Sequence, residues 1–448
     1  MKEPLLSRDS ALVHTFREVW AELSGIGRAP DGGYLRFAWS PAEIALRDWF
    51  KAAAAARGMP VTHDGNGNLF ATWAAATGGS ATTGGSTASG AANGGEAVGA
   101  ERRRVVLAGR PGGVLTGSHF DSVPHGGAYD GPLGIVSAFL AVDVLRERDF
   151  RPVRPITVAA FAEEEGSRFG VACLGSRLLT GAIDPERAAA LTDRDGLSLG
   201  DVFGAAPAGA RPDLVAGFDA YIELHVEQGR ALTTPVGVAS AIWPHGRWRF
   251  DVEGEGNHAG TTLMSDRHDP MLTYAFTVLA ANKEARLRDA HATVGRVEVT
   301  PNATNAIPAA VRGWLDARAA DGATLAGLVE AVAKKATERA GRDGTAIRFT
   351  AESTTPEVRF DEGLAGRLAA LLGDVPILPT GAGHDAGVLS AHLPTAMLFV
   401  RNPTGVSHAP TEAATDDDCA AGIEALARVL EELSARPLVD HDEGVGAP

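Results

Sequence analysis

The sequence predicts an α/β fold, a mixed sheet flanked by helices, with a ferredoxin-like βαββαβ unit inserted in its second half. Three observations predict it. Short apolar runs alternate with stretches of helical spacing through the first half of the chain. The order strand, helix, strand, strand, helix, strand follows beyond Pro235. Loops rich in glycine and charge stand directly after strand-like runs, where ligands of an α/β sheet gather.

Apolar positions at helical spacing (Leu12, Phe16, Trp20, Leu23, then Ile44, Leu46, Trp49, Phe50) predict two helices within 10–57. Val61 to Trp73 holds Asp-Gly and Asn-Gly between apolar runs, a hairpin signal. From Ala75 to about Gly99 there are Gly, Ser, Thr and Ala with almost nothing to bury, which predicts a flexible surface loop rather than a linker between domains. Strands are expected at Arg104 to Leu107, Leu115 to Ser118 and Pro155 to Phe161, with a helix from about Gly134 to Arg146 between the last two. Another short strand opens Ala220 to Gly229. The inserted unit has strands at Trp248 to Gly254, Thr293 to Val299, Ala310 to Ala317 and Ala346 to Ala351, and helices at Asp269 to Leu287 and Leu325 to Ala340. After Pro356 come a helix near Leu364 to Leu372, a strand at Thr395 to Val400 and a last helix from Asp417 to Leu433. The domain limits expected are therefore 1–235 and 353–448 for the larger unit and 236–352 for the insertion.

Bulk properties exclude several function classes. The chain has 448 residues, 45% hydrophobic and 22% charged, as a two-domain globular protein should. A formal charge of -15 speaks against nucleic acid or an anionic membrane as partner, because both need a basic face. Two cysteines, Cys173 and Cys419, give neither a disulfide framework nor a thiolate cluster. With no signal-like apolar core at Met1 to Asp9 and no long apolar window, a cytoplasmic location is expected.

The loops carry the chemistry. His119, Asp130, Glu165, His225 and His408 each follow a strand-like segment, and imidazole with carboxylate suits zinc, manganese, cobalt or nickel. One ion needs three or four protein donors, so five candidates with a carboxylate able to bridge, Asp130, suggest two ions per chain. Glu164 adjoins Glu165 and cannot share its ion along a regular strand, which frees it to be the general base. Asp121, two residues after His119, can accept that imidazole's other N–H, and His384 and Asp385 have a similar supporting look. Singly, each of these residues is more simply a turn or cap residue, Glu163 to Glu165 a solvated acidic run, and His125, His245, His258 and His291 surface histidines. Five such loops at strand ends are hard to assemble by chance.

In these residues the chain resembles the dinuclear-metal amidohydrolases of the M20 peptidase clan, and within it the branch of N-carbamoyl-L-amino-acid hydrolases, β-ureidopropionases and allantoate amidohydrolases. The similarity is carried by Gly117-Ser-His-Phe-Asp-Ser-Val, Gly126-Gly-Ala-Tyr-Asp-Gly131, Glu164-Glu-Gly-Ser-Arg-Phe169, Glu223-Leu-His-Val-Glu-Gln-Gly229, His258-Ala-Gly-Thr-Thr262, Asn302 to Pro308, Gly381 to Ala386 and Val406-Ser-His-Ala-Pro410. The branch is indicated by His225, where peptidase members carry a carboxylate. The resemblance implies that His119, Asp130 and His225 hold one ion, that Asp130, Glu165 and His408 hold the other, and that Glu164 is the base. It further implies a homodimer through the inserted unit, with His258 reaching the neighbouring subunit's site to stabilise an oxyanion. Asn305 and Arg318 match positions that bind the substrate's carboxylate, and Gln228 would contact the ureido group or carboxylate.

The substrate expected from this likeness is a small ureido acid, either allantoate or an N-carbamoyl-L-amino acid, with the segments Ala241 to His245 and Pro270 to Tyr274 inclining the choice to allantoate. Leu263 in place of a usual proline, Ala413 in a place often aromatic, and the long Gly/Ser/Thr stretch depart from the pattern and bear on substrate preference. Two alternatives stay open: an aminoacylase or dipeptidase with the same metals, and a catalytically silent metal-binding protein.

Overall fold

The computed structural model describes residues 10–76 and 112–435. The strand expected at Arg104 to Leu107 and most of the expected surface loop from Ala75 to Gly99 lie outside them.

Among the described residues the larger sheet has nine strands. Its path runs Val61–His63, Leu69–Trp73, Ile156–Phe161, Gly113–His119, Phe218–Val226, Thr395–Val400, Val236–Ile242 and Val358–Arg359, with Ile377–Thr380 beside Val236–Ile242. Its four middle strands, Ile156–Phe161, Gly113–His119, Phe218–Val226 and Thr395–Val400, are mutually parallel, and antiparallel pairs flank them. Parallel strands sit between two covered faces, so their sequences are continuous apolar runs rather than alternating ones. Ile156–Phe161 fits that rule, with all six residues buried.

Helices supply the cover. Ser10–Ser24, Pro41–Ala56, Pro132–Glu147, Glu362–Leu371 and Asp416–Ala435 contribute to one apolar cluster, which includes Phe16, Phe50, Phe139, Leu368 and Ile423. The opposite face packs Phe70, Leu115, Phe161, Tyr221 and Phe399 against Leu179 and Leu389. Pro132–Glu147 lies so close to the sheet that a Cβ on Gly134 would be 2.3 Å from the Leu224 carbonyl oxygen. Only glycine permits that approach.

The smaller sheet is antiparallel, in the order Ala346–Thr355, His245–Glu253, Ala310–Arg318, His291–Thr300. Numbered along the chain, that is 4-1-3-2, and Pro270–Leu287 and Gly322–Asp343 cover one face. The expected βαββαβ order is present, with one difference at its edges. Val236–Ile242 pairs with Thr395–Val400 in the larger sheet, so residue 236 does not start the smaller sheet, which runs from His245 to Thr355. Small residues in Val-Gly-Val-Ala-Ser-Ala-Ile gave that strand a weak sequence signal. No helix among the described residues is long and apolar enough to cross a membrane.

Candidate active site

The four parallel strands all point their carboxyl ends at one crevice. His119 ends the first of them in sequence, level with Phe161, whose strand runs into Glu163-Glu164-Glu165. His225 lies level with Phe399, one residue before the end of Thr395–Val400, and the following loop brings in His408. Asp130 comes from the loop before Pro132–Glu147.

Asp130 is the meeting point. Its Oδ1 lies 3.5 Å from His119 Nε2 and 3.2 Å from His225 Nε2. Its Oδ2 lies 3.4 Å from His408 Nε2, which is itself 3.5 Å from Glu165 Oε2. His119, Asp130 and His225 thus form one donor set, and Asp130, Glu165 and His408 a second.

Both sets fit a divalent ion. Donors about 2.0–2.2 Å from a tetrahedral ion stand about 3.4 Å from one another, close to these spacings. The tautomers fit as well. His119 Nδ1 donates to the Asp121 carbonyl at 3.0 Å and His225 Nδ1 to the Val226 carbonyl at 2.8 Å. A carbonyl only accepts, so the proton sits on Nδ1 and the lone pair of Nε2 is presented to the crevice. Both Nε2 atoms are buried without a hydrogen-bond partner. A third group, Glu223, His225 and His384, fits less well. Glu223 already accepts from the Ser118 hydroxyl and the Ala386 N–H, and the Nδ1 of His225 is occupied.

The electrostatics mark the same place. Burial opposes ionisation of Asp130, yet the facing imidazoles hold its carboxyl well below the usual range. Burial also opposes the charge on His408, but Asp130 and Glu165 raise its pKa to about 9. Glu165 is pushed up to about 7 by burial and by Asp130, and Glu164 is raised chiefly by burial. Without ions, protons occupy positions that cations can take.

Glu164 Oε2 lies 3.7 Å from His119 Nε2, beside rather than within the donor sets. The Cys173 thiol faces its Oε1 at 3.4 Å. Asp121 does more than expected: its carboxylate accepts the backbone N–H of Glu164 at 3.1 Å and of Glu165 at 3.0 Å, while His119 bonds its carbonyl. Gln228 donates to Asp130 Oδ2 at 2.7 Å and keeps a buried Oε1 without a partner. His384 is buried against His225 with both ring nitrogens unpartnered, and burial pushes Asp385, bonded to the Ser176 hydroxyl, up to about 8.

Other expected residues lie apart. His258 and Asn305 are exposed together on the ribbon of Asn257–His258 and Ala306–Ile307, and none of their hydrogen bonds reaches the donor sets. Arg318 ends its strand with Nη1 donating to the Gly381 carbonyl at 2.7 Å and Nε to Asp316 at 2.9 Å, which ties the smaller sheet to the loop before His384. His125 pairs with Asp31 and His291 stacks on Trp243, as surface histidines do.

Beside Glu223, the carboxylates of Glu163 and Glu412 were assigned no role from sequence. Glu163 accepts the N–H groups of Arg168 and Phe169, and Glu412 those of Tyr129 and Asp130. The only sequence signal for Glu412 was its place four residues beyond His408.

Comparison with known proteins gives a consistent set. Residues 115–432 match the profile of peptidase family M20/M25/M40. An N-carbamoyl-L-amino acid amidohydrolase of Geobacillus stearothermophilus is 33% identical over 434 residues, spanning 92% of this chain and 96% of the relative. An allantoate amidohydrolase of Escherichia coli is 31% identical over 430 residues, spanning 92% and 96%. The solved structure of an amidase of the hydantoinase/carbamoylase family from Burkholderia vietnamiensis superposes with a TM-score of 0.79 at 28% identity, covering 96% of this chain and 100% of that one.

Proposed function

The chain belongs to peptidase family M20/M25/M40 and is a hydrolase, and from that premise we propose that it cleaves the ureido C–N bond of allantoate or of an N-carbamoyl-L-amino acid. Ammonia and carbon dioxide leave, together with an amino acid or, from allantoate, ureidoglycine. The observation that carries this reading is Asp130 shared between two donor sets with Glu164 beside them. The ureido substrate is supported by the two amidohydrolase relatives, whose names span both choices.

In this reading His119, Asp130 and His225 would hold one divalent ion, and Asp130, Glu165 and His408 would hold another, drawn from zinc, manganese, cobalt or nickel. Bound ions would polarise the ureido carbonyl and acidify water. Glu164 takes the proton of the attacking water. It then returns that proton to the leaving nitrogen, a relay suited to a carboxyl whose pKa burial has raised. Gln228 Oε1, buried and free, accepts a ureido N–H. Arg318, from the smaller sheet, and Asn305 bind the substrate carboxylate.

His258 acts on the partner's site as an oxyanion donor, so a homodimer is part of the proposal. The exposed Leu272, Leu279 and Leu287 along Pro270–Leu287, together with the edge strand His291–Thr300, support an interface on the smaller sheet. Two buried free cysteines accord with a reducing cytoplasm.

The test is product analysis with manganese-loaded protein and a panel of allantoate, N-carbamoyl-β-alanine, N-carbamoyl-L-amino acids, N-acetyl-L-amino acids and dipeptides. Ammonia from the ureido compounds is expected. Release of amino acid from the acyl and peptide compounds alone would make the protein an aminoacylase or dipeptidase, and the ratio of allantoate to carbamoyl turnover decides between the two ureido substrates.

A further inference from the structure

Glu412 binds no substrate in the function proposed above, yet it grips the residue on which both donor sets depend. Its Oε1 accepts the backbone N–H of Tyr129 at 2.9 Å and of Asp130 at 3.0 Å, across 283 and 282 positions of sequence. Glu412 is buried, 5% exposed. The Asp130 loop lies so close that a Cβ on Gly127 would stand 2.3 Å from the Glu412 carboxyl carbon. Glu412 is also joined to His408 by a short segment, in which the Glu412 N–H donates to the Ala409 carbonyl at 3.0 Å.

One segment therefore supplies a donor, His408, and holds the backbone of the carboxylate that His408 faces at 3.4 Å. The geometry matters because Asp130 works with both oxygens, Oδ1 toward His119 and His225 and Oδ2 toward His408. A rotation of the Asp130 backbone would withdraw both oxygens together. Free rotation about its side chain could repair one set only by spoiling the other. Sequence-distant backbone bonds to a carboxylate are a direct way to prevent that rotation.

We propose that Glu412 is a positioning residue for the shared carboxylate: by holding the Tyr129 and Asp130 amides it fixes the orientation in which Asp130 closes both donor sets. The inference rests on the divalent-ion reading of those sets. It also predicts which chemistry is needed at 412. Gln retains a carbonyl oxygen where Oε1 sits, so it keeps the two amide bonds. Asp is one methylene too short to reach them, and Ala has no acceptor.

Glu412→Ala, Glu412→Asp and Glu412→Gln would be stripped of metal and titrated with manganese alone against a chelating dye. Kinetics on allantoate and N-carbamoyl-L-alanine at saturating manganese, and melting midpoints, would be recorded beside them. For Ala and Asp, manganese affinity should fall ~10–100-fold, and kcat should stay depressed at saturating manganese while KM changes little. Gln should recover most of both. If the Ala or Asp variant binds manganese as the wild type does, with kcat unchanged and only the melting midpoint lowered, the residue merely stabilises the fold and the proposal is overturned. Should Ala fail to fold, the contrast between Asp and Gln decides by the same measures. A wild-type protein that takes up no manganese would remove the divalent-ion reading itself, a result distinct from any difference among the variants.

Discussion

Asp130 faces three imidazoles, His119 and His225 on Oδ1 and His408 on Oδ2, where Gln228 also donates. His119 and His225 give their Nδ1 protons to backbone carbonyls and turn Nε2 inward. Glu164 is held by its backbone N–H on Asp121, which leaves its side chain free to work. Replacing Glu164 by Gln should lower turnover ~10²–10⁴-fold, the usual weight of a general base, while manganese content stays unchanged. Normal hydrolysis by that variant would remove Glu164 from the mechanism. The histidines and carboxylates of both donor sets were legible in the sequence, because His119 and His225 stand at the ends of strand-like runs and Asp130, Glu165 and His408 in loops of glycine or charge beyond such runs. Glu163 and Glu412 were not. They act on backbone amides, and nothing in sequence spacing connects Glu412 with Asp130.

At the scale of elements, the buried parallel strands Ile156–Phe161 and Thr395–Val400 announced themselves as apolar runs, and the βαββαβ order of the smaller sheet was equally plain. Val236–Ile242 was not assigned to the larger sheet, since its pairing with Thr395–Val400 depends on a partner far along the chain. Close packing of Pro132–Glu147 on the Phe218–Val226 strand sets a sharp test. Gly134→Ala places a methyl group against the Leu224 carbonyl and should destabilise the protein by about 1–3 kcal/mol. Chemical denaturation measures this, and a variant as stable as the wild type would mean that the helix can shift freely. Leu279, 69% exposed on Pro270–Leu287, belongs to the proposed dimer face. Leu279→Glu should give a monomer by light scattering and, by withdrawing the partner's His258, a strong fall in kcat. A stable dimer with full activity would place the interface elsewhere.

For the whole molecule, the burial of so many acids at one crevice makes stability depend on pH. Glu163 and Asp385 are pushed up to about 8, and Glu165 and Glu412 to about 7, in each case first by burial. A carboxyl with a raised folded pKa binds its proton more tightly when folded. Its contribution is therefore complete below the unfolded value of about 4 and is lost as pH rises through 7 to 8. Ion-free protein should accordingly melt at progressively lower temperature from about pH 5 to pH 8. Manganese should raise the midpoint, and by more at the higher pH, because ions replace protons in the donor sets. Calorimetry at both pH values checks the sign, and a manganese increment larger at pH 5 would contradict it. The proposal that the shared donor sets hold divalent ions with which this chain cleaves ureido bonds has a direct test. Ammonia release from allantoate and from N-carbamoyl-L-alanine should be followed while manganese is added back to chelator-stripped protein, with bound metal measured on the same samples. The account predicts no release from stripped protein, activity that rises with bound manganese, and loss of both in Asp130→Ala. Full ammonia release by the stripped protein, or by Asp130→Ala, would contradict it.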